Sequence, residues 1–217
     1  MKKTTTILLA TLVTMSAYAE DLKPVDRIPK DVKSVKAVIP IYSQRLAFRL
    51  PTDWKPAFQD QKSNMFMIEF TPKNETIQSW SNMFSVQGFK NLASKANSEQ
   101  FLDNLASRFQ ATCGEYLVYE KIGSPIIDGF KSTTAILGCS KLPDSHPTGV
   151  KKGQSEIGYY YSIQGKKDIY LIHKSVRGDA FDPTSTPLTR ENIASFIAPF
   201  NSIELCKNTG GQGQCNK

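Results

Sequence analysis

Residues 157–176 read IGYYYSIQGKKDIYLIHKSV, two runs of aromatic and β-branched residues around a short polar link. Such runs favour strands, and a tight link that contains glycine, here QGKK at 164–167, is typical of a β-hairpin. The stretch therefore predicts antiparallel strands at 157–163 and 169–176, and a sheet that is mostly antiparallel.

Alternating polarity predicts a further strand at residues 45–50, RLAFRL, because Leu46, Phe48 and Leu50 fall on one face and two arginines on the other. Additional strands are expected at residues 66–70, 84–86, 116–122 and 130–139.

Two helices are expected among these strands. Ser98 is expected to cap the first, which runs to about residue 112 with apolar residues three and four apart, and Thr189 is expected to cap the last. The order of strands and helices predicts an α+β domain, a central mostly antiparallel β-sheet with helices packed on it.

The N-terminus has the pattern of a bacterial signal peptide over residues 1–19. Lys2 and Lys3 precede a mostly uncharged run, and Ala17-Tyr18-Ala19 supplies the small-x-small cleavage pattern. A membrane anchor is the alternative, but it needs about 20 apolar residues, and this run is shorter and interrupted by threonines. We therefore expect an exported protein without a transmembrane segment, either periplasmic or secreted.

The remaining chain is expected to form one domain. Residues 20–40, interrupted by Pro24, Pro29 and Pro40, are predicted to be a flexible N-terminal arm. The α+β domain is then expected over residues 41–205, with a tail at 206–217 that a disulfide closes. We expect a monomer.

Four cysteines, Cys113, Cys139, Cys206 and Cys215, predict two disulfides, because an exported chain with an even cysteine count is usually stapled. Three pairings are possible, and we favour Cys113–Cys139 with Cys206–Cys215 because each would join neighbouring segments. The absence of a C-x-x-C motif and of histidines near the cysteines in sequence argues against a metal site.

The charge balance is basic. Without the two leader lysines, 27 Lys+Arg and 20 Asp+Glu leave an excess of about five positive charges. That excess suits acidic partners, but it is also common in soluble proteins that have none. Nucleic acid is excluded as a partner because it is not expected in the exported compartment.

Sequence motifs for catalysis are missing: there is no G-x-S-x-G elbow and no P-loop. His146 lies in a proline-bounded loop, and His173 is predicted to share a strand face with Ile169 and Leu171. Two isolated histidines do not make a zinc site, so we expect no metal, no cofactor and no enzyme activity. A hydrolase at His146 or His173 is the disfavoured alternative.

Aromatic and basic side chains form the predicted binding set. Aromatic rings beside cationic groups suit an anionic or ring-bearing ligand, whereas the alternative is that the rings pack in the core and the arginines face solvent. The set comprises Arg45, Arg49, Trp54, Trp80, Tyr159, Tyr161, His173 and Arg177.

Residues 46–54, LAFRLPTDW, are similar to the F-x-(I/L)-P-x-x-W opening of the Mog/PsbP-like family, which is named for a Ran-binding protein and a photosystem extrinsic subunit. Residues 70–72, FTP, and 80–87, WSNMFSVQ, resemble its second and third strands. The resemblance implies an α/β/α sandwich and an adaptor or ligand-binding role, usually non-catalytic, with no shared cofactor.

Together these features predict an exported, non-catalytic binding module for a small anionic ligand or for an envelope or host protein. The alternative is an accessory, adaptor or toxin-neutralising protein that acts through protein–protein contacts.

Overall fold

The computed structural model describes residues 31–144, 151–200, 202–207 and 215. The signal peptide expected at 1–19, residues 20–30 of the expected arm, and His146 lie outside the described residues. The strands are β1 (Ser34–Ile41), β2 (Gln44–Pro51), β3 (Trp54–Gln61), β4 (Met65–Pro72), β5 (Asn82–Phe89), β6 (Leu117–Gly123), β7 (Ile126–Ile127), β8 (Phe130–Cys139), β9 (Gln154–Gln164), β10 (Ile169–Asp179) and β11 (Glu204–Lys207). The helices are α1 (Ser98–Cys113) and α2 (Ile193–Ile197), with 3-10 turns at Gly114–Tyr116 and Ala198–Phe200.

A large antiparallel sheet forms the centre of the molecule. Its strand order is β3-β4-β5-β10-β9-β8-β6, with β7 paired to β8 at one side. The predicted hairpin is confirmed: β9 and β10 pair along their whole length, with Ile157 opposite Val176 and Tyr161 opposite Ile172. The α+β prediction is confirmed as well.

The main core lies between this sheet and a smaller one of order β1-β2-β11. Phe48 of β2, Phe84 of β5 and Phe200 are fully buried there, and the Phe84 and Phe200 rings stack with centroids 4.1 Å apart. The strand predicted at residues 45–50 is thus confirmed as β2, and its apolar face packs where expected. The short α2 closes the same layer.

Helix α1 packs on the opposite face of the large sheet. Leu102 and Ala106 are buried there in a second cluster with residues of β8, β9 and β10. The expectation that Ser98 caps this helix is wrong, because Asn97 does so. Its side chain accepts a hydrogen bond from the Gln100 backbone at 2.8 Å, and the Gln100 side chain accepts one from the Asn97 backbone at 3.0 Å.

Two other local expectations are wrong. Residues 34–40 do not belong to a flexible arm but form most of β1, which pairs with β2 from Ser34 opposite Pro51 to Ile41 opposite Gln44. Pro40 is tolerated because β1 is an edge strand that needs no donor on its outer side. At the last helix, the N-cap is Asn192 rather than Thr189.

Asp168, at the end of the β9–β10 link, fastens two other loops to the sheet. Its carboxylate accepts hydrogen bonds from the backbone and hydroxyl of Ser43, from the Asn91 backbone at 2.8 Å and from the Tyr170 hydroxyl at 3.3 Å. Burial alone would raise the pKa of Asp168, but these donors lower it overall.

The favoured cysteine pairing is confirmed. Cys113–Cys139 joins the end of α1 to the end of β8, and Cys206–Cys215 ties residue 215 to β11. Within the described residues, neither helix has the length and apolar character needed to cross a membrane.

Candidate functional site

Helix α1 covers only part of its sheet face. A helix is about 10–12 Å wide and strands lie about 4.8 Å apart, so one helix shields two or three strands. Here α1 packs on β8, β9 and β6. Among the described residues, α1 reaches β5 and β10 through Phe89 and Leu171, and a cavity of about 610 Å³ lies between the helix and the rest of the face of β3, β4, β5 and β10. We call this cavity the groove.

The walls of the groove are mainly apolar. They include aromatic and methionine side chains from both the sheet and the helix, namely Phe58, Met67, Trp80, Met83, Leu105 and Phe109. The ring of Phe58, on the edge strand β3, is 39% exposed, an unusual position for a large apolar side chain. These walls can hold an apolar molecule of moderate size.

A row of polar side chains crosses the floor of the groove. Register places Tyr160 of β9 opposite His173 of β10, His173 opposite Ser85 of β5, and Ser85 opposite Glu69 of β4. Side chains at paired positions lie on the same sheet face, with strands about 4.8 Å apart. The floor therefore presents an imidazole and a carboxyl group two strands apart.

His173 is held in place on both sides. It is 7% exposed, its ring stacks on Tyr160 with centroids 4.4 Å apart, and its Nδ1 lies 2.9 Å from the Ser175 hydroxyl. Burial lowers the pKa of His173 to about 3, so the ring is neutral at physiological pH. We assign the ring proton to Nδ1, which then donates to the Ser175 hydroxyl and leaves a lone pair on Nε2.

Nε2 of His173 has no hydrogen-bond partner in the part of the chain that the structure describes. His173 is more than nine-tenths buried, and its ring lines the groove. Nε2 is not among the fully buried side-chain atoms without a partner, so it keeps some accessible surface, and water or a ligand in the groove can satisfy it.

Arg177 stands at one end of the groove with its charge already compensated. Its Nε donates to the Glu156 carboxylate at 3.0 Å, and the guanidinium lies 3.9 Å from the Trp80 ring centroid. The Arg177 side chain is only 5% exposed. This arrangement satisfies the guanidinium and covers one face of the indole.

Glu69 is half-buried in the floor. Burial raises its pKa, the Glu156 carboxylate raises it further, and Arg177 opposes both effects. Among the described residues no side chain or backbone group donates a hydrogen bond to the Glu69 carboxyl. Glu69 is therefore the acidic group of the groove that lacks a partner of its own.

Three members of the predicted binding set meet in the groove: Trp80, His173 and Arg177. The other members lie elsewhere. Trp54, Tyr159 and Tyr161 pack on the main core, on the other face of the large sheet.

Arg45 and Arg49 lie on β2 in the small sheet, where the Arg49 side chain bonds to Ser34. The eight residues therefore do not form a single site. The described residues contain no group of three His, Cys, Asp or Glu side chains that could hold a metal ion.

Sequence reasoning missed Glu69, although a signal was present. In residues 65–70, MFMIEF, the buried Phe66, Ile68 and Phe70 occupy one face, so Met67 and Glu69 share the other. On this face, which is expected to meet solvent, the apolar Met67 next to the acidic Glu69 indicates a surface that is only partly exposed. Leu105 and Phe109 belong to the apolar stripe that the sequence predicts for α1, but the stripe does not show that part of it borders a groove.

Comparison with known proteins gives fold-level likenesses only. No protein-family model matches the chain, and no curated protein matches it either. Among solved structures, a Bacteroides thetaiotaomicron protein matches 83% of the chain at 12% identity and a TM-score of 0.43, and the chain spans about half of that protein's length (51%).

The Saccharomyces cerevisiae Ran-binding protein Mog1p matches 76% of this chain and 84% of its own, at 10% identity and a TM-score of 0.40. LpqN of Mycobacterium tuberculosis, which is involved in cell envelope biogenesis, matches 81% and 93% at 7% identity and a TM-score of 0.34. At these identities and TM-scores the likeness identifies neither a ligand nor a partner for this chain.

Proposed function

We propose that this chain is an exported, non-catalytic binding module whose groove takes up a small, largely apolar molecule that carries one polar group. The observation that carries the proposal is the cavity of about 610 Å³ between α1 and the open half of the sheet. Small-molecule sites are typically clefts of about 300–1,000 Å³ with mostly apolar walls and a few placed polar groups. The groove has this composition.

The apolar walls supply the affinity and the polar row supplies the orientation. Each apolar Å² removed from water contributes about 25 cal/mol, so a ligand that fills the groove gains from Phe58, Met67, Leu105 and Phe109 together. A polar group placed wrongly against these walls would lose its hydrogen bonds with water. The ligand is therefore expected to place its polar group over the Glu69–His173 row.

The surroundings of His173 support binding over catalysis. A general base needs a pKa near the working pH, and burial lowers that of His173 to about 3. Ser85 and Ser175, which neighbour His173, are both fully buried and out of reach of a substrate carbonyl. These features favour a permanent, neutral hydrogen-bonding group.

Export is supported by the disulfides. Disulfide bonds persist in oxidising compartments and are rare in the cytosol. The test is fractionation of the native host followed by intact-mass analysis. A mature chain that starts at residue 20, with both disulfides formed, is expected in the periplasm or the medium, and recovery of the full-length reduced chain from the cytosol would contradict the proposal.

Binding in the groove is tested by a fragment screen in ligand-observed NMR. Gln87→Phe, in the floor of the groove on β5, fills part of the cavity and should abolish binding of the wild-type hits. Gln59→Phe makes the same change on β3, on the sheet face away from the groove, and should leave the hits bound. Hits that bind Gln87→Phe as well as wild type would refute the proposed site.

A further inference from the structure

We infer that the groove selects a ligand whose polar group is a protonated amine, with Glu69 as its counter-ion and Nε2 of His173 as a second acceptor. This inference rests on the proposed function and adds the charge of the ligand to it. It reverses the sign expected from the sequence, where the basic side chains suggested an anion.

The charges that face the groove carry the inference. The two carboxyl groups are Glu69 on β4 and Glu156 on β9, and the guanidinium of Arg177 on β10 pairs with Glu156. His173 is neutral, and Arg108 of α1 is exposed at the rim. Among the described side chains, and leaving out the exposed Arg108 at the rim, the lining of the groove therefore carries one net negative charge when Glu69 is ionised.

The strands on the other sides of Glu69 do not alter this balance. The side chains that β3 and β5 contribute to the groove are Phe58, Met83 and Gln87, which are uncharged. The Gln87 amide nitrogen is 3.2 Å from the Ser85 hydroxyl. Glu69 thus has no cation of its own among the described residues.

An ammonium group would supply a partner for both the Glu69 carboxylate and Nε2 of His173. A half-buried carboxylate without hydrogen bonds is unfavourable, and an ammonium supplies a compensating charge together with three N–H donors. One donor can bond to Glu69 and another to Nε2 of His173, which lies two strand spacings away, roughly 10 Å between backbones. The neutral imidazole does not repel the cation.

The aromatic walls suit the same ligand. Trp80 and Phe109 line the groove, and a cation near an aromatic face is attracted by the negative potential of the ring, more strongly when it is desolvated. A ligand carboxylate on the floor would instead be repelled by Glu69 and Glu156, and among the described side chains that line the groove the cations are Arg177, which pairs with Glu156, and Arg108 at the rim. The chemical class is therefore an amphiphilic amine with an aromatic or aliphatic body.

Three probes with one ring system test the sign of the charge. Tryptamine, tryptophol and indole-3-propionate share an indole and carry an ammonium, a hydroxyl and a carboxylate, and their affinities can be measured by calorimetry at pH 7.5. Tryptamine is expected to bind at least tenfold more tightly than tryptophol, with indole-3-propionate weakest. Equal or tighter binding of indole-3-propionate would overturn the inference.

Glu69→Gln tests the counter-ion while keeping the shape of the side chain. The variant should lose about tenfold in tryptamine affinity and none in tryptophol affinity. Glu115→Gln, an exposed glutamate outside the groove, is the matched control and should change neither. Unchanged tryptamine binding by Glu69→Gln would overturn the role of Glu69.

The outcomes separate this inference from the function on which it rests. If fragments bind in the groove but tryptamine does not bind, or binds no better than tryptophol, the inference fails and the binding function stands. If Gln87→Phe leaves every hit bound, the groove itself is not the site. The probe series uses wild-type protein, so it decides the sign of the charge even if Glu69→Gln does not fold.

Discussion

Stability should fall in mild acid because His173 is buried in its neutral form. Its pKa is about 3 in the folded protein and near 6.5 in the unfolded chain. The folded-state value is the lower one, so the contribution of His173 to stability is complete above about pH 6.5 and is lost progressively as the pH falls towards 3. Between pH 7 and pH 5 the loss amounts to about 2 kcal/mol, since each pKa unit corresponds to about 1.4 kcal/mol.

The assay is urea unfolding of wild type and His173→Phe at several pH values. The phenyl ring keeps the stack on Tyr160 but cannot bind a proton. The unfolding free energy of wild type minus that of His173→Phe should therefore fall by about 2 kcal/mol from pH 7 to pH 5. The other titratable groups at the groove, Glu69, Glu156 and Arg177, are present in both proteins, and their contributions largely cancel.

Two results would refute this reasoning. One is a difference in unfolding free energy that stays constant from pH 7 to pH 5. The other is an NMR titration in which the His173 ring gains a proton near pH 6.5 in the folded protein, which would mean that the imidazole is open to solvent.

Asp168→Asn should lower the unfolding free energy by about 2–3 kcal/mol, because one amide oxygen cannot accept from the donors on both sides of the carboxylate. The control Asp53→Asn, at an exposed position, should change the unfolding free energy by under about 0.5 kcal/mol. Since the folded pKa of Asp168 is lowered, that gap should close below about pH 4, which urea unfolding at low pH would reveal. The Cys113→Ala, Cys139→Ala double variant should lose about 2–4 kcal/mol of unfolding free energy, because the disulfide closes a loop of 26 residues in the unfolded chain. An unchanged denaturation midpoint would contradict this. Gly158→Ala should lower the unfolding free energy by about 1–3 kcal/mol, since the new Cβ would lie 2.6 Å from a backbone oxygen of β10. An unshifted thermal midpoint would show that β9 and β10 can move apart without loss of stability.

The features that the sequence predicted correctly depend on short-range patterns. The β9–β10 hairpin follows from two apolar runs and a glycine link, and the body of α1 follows from apolar residues three and four apart. The Cys113–Cys139 pairing follows from the expectation that the segments that carry the two cysteines are neighbours.

Apart from the two helix caps, the errors concern the element against which a segment packs. The prolines of residues 20–40 predict an irregular arm, but an edge strand such as β1 accommodates Pro40 because its partner strand lies on the other side. In the binding set, Tyr159 and Tyr161 were correctly placed on one face of the hairpin, yet that face is the main core. Which face a helix covers depends on contacts distant in sequence.

The extent of the groove follows from such a contact. With α1 over β8, β9 and β6, the half-buried Glu69 and the buried His173 border the groove. Trp54 instead packs on the core beneath the small sheet. Residue type and strand parity place a side chain on a face, but they do not tell how far a layer extends over that face.

The two tryptophans allow the most direct test of the groove as the binding site. Trp80 lines it, and Trp54 packs against Phe200 on the opposite face of the sheet, with ring centroids 4.8 Å apart. The chain can be labelled with 5-fluorotryptophan, its two ¹⁹F signals assigned with Trp54→Phe, and tryptamine or a fragment hit titrated in. Binding in the groove predicts that the Trp80 signal shifts while the Trp54 signal stays in place. A saturable shift of the Trp54 signal alone would contradict it.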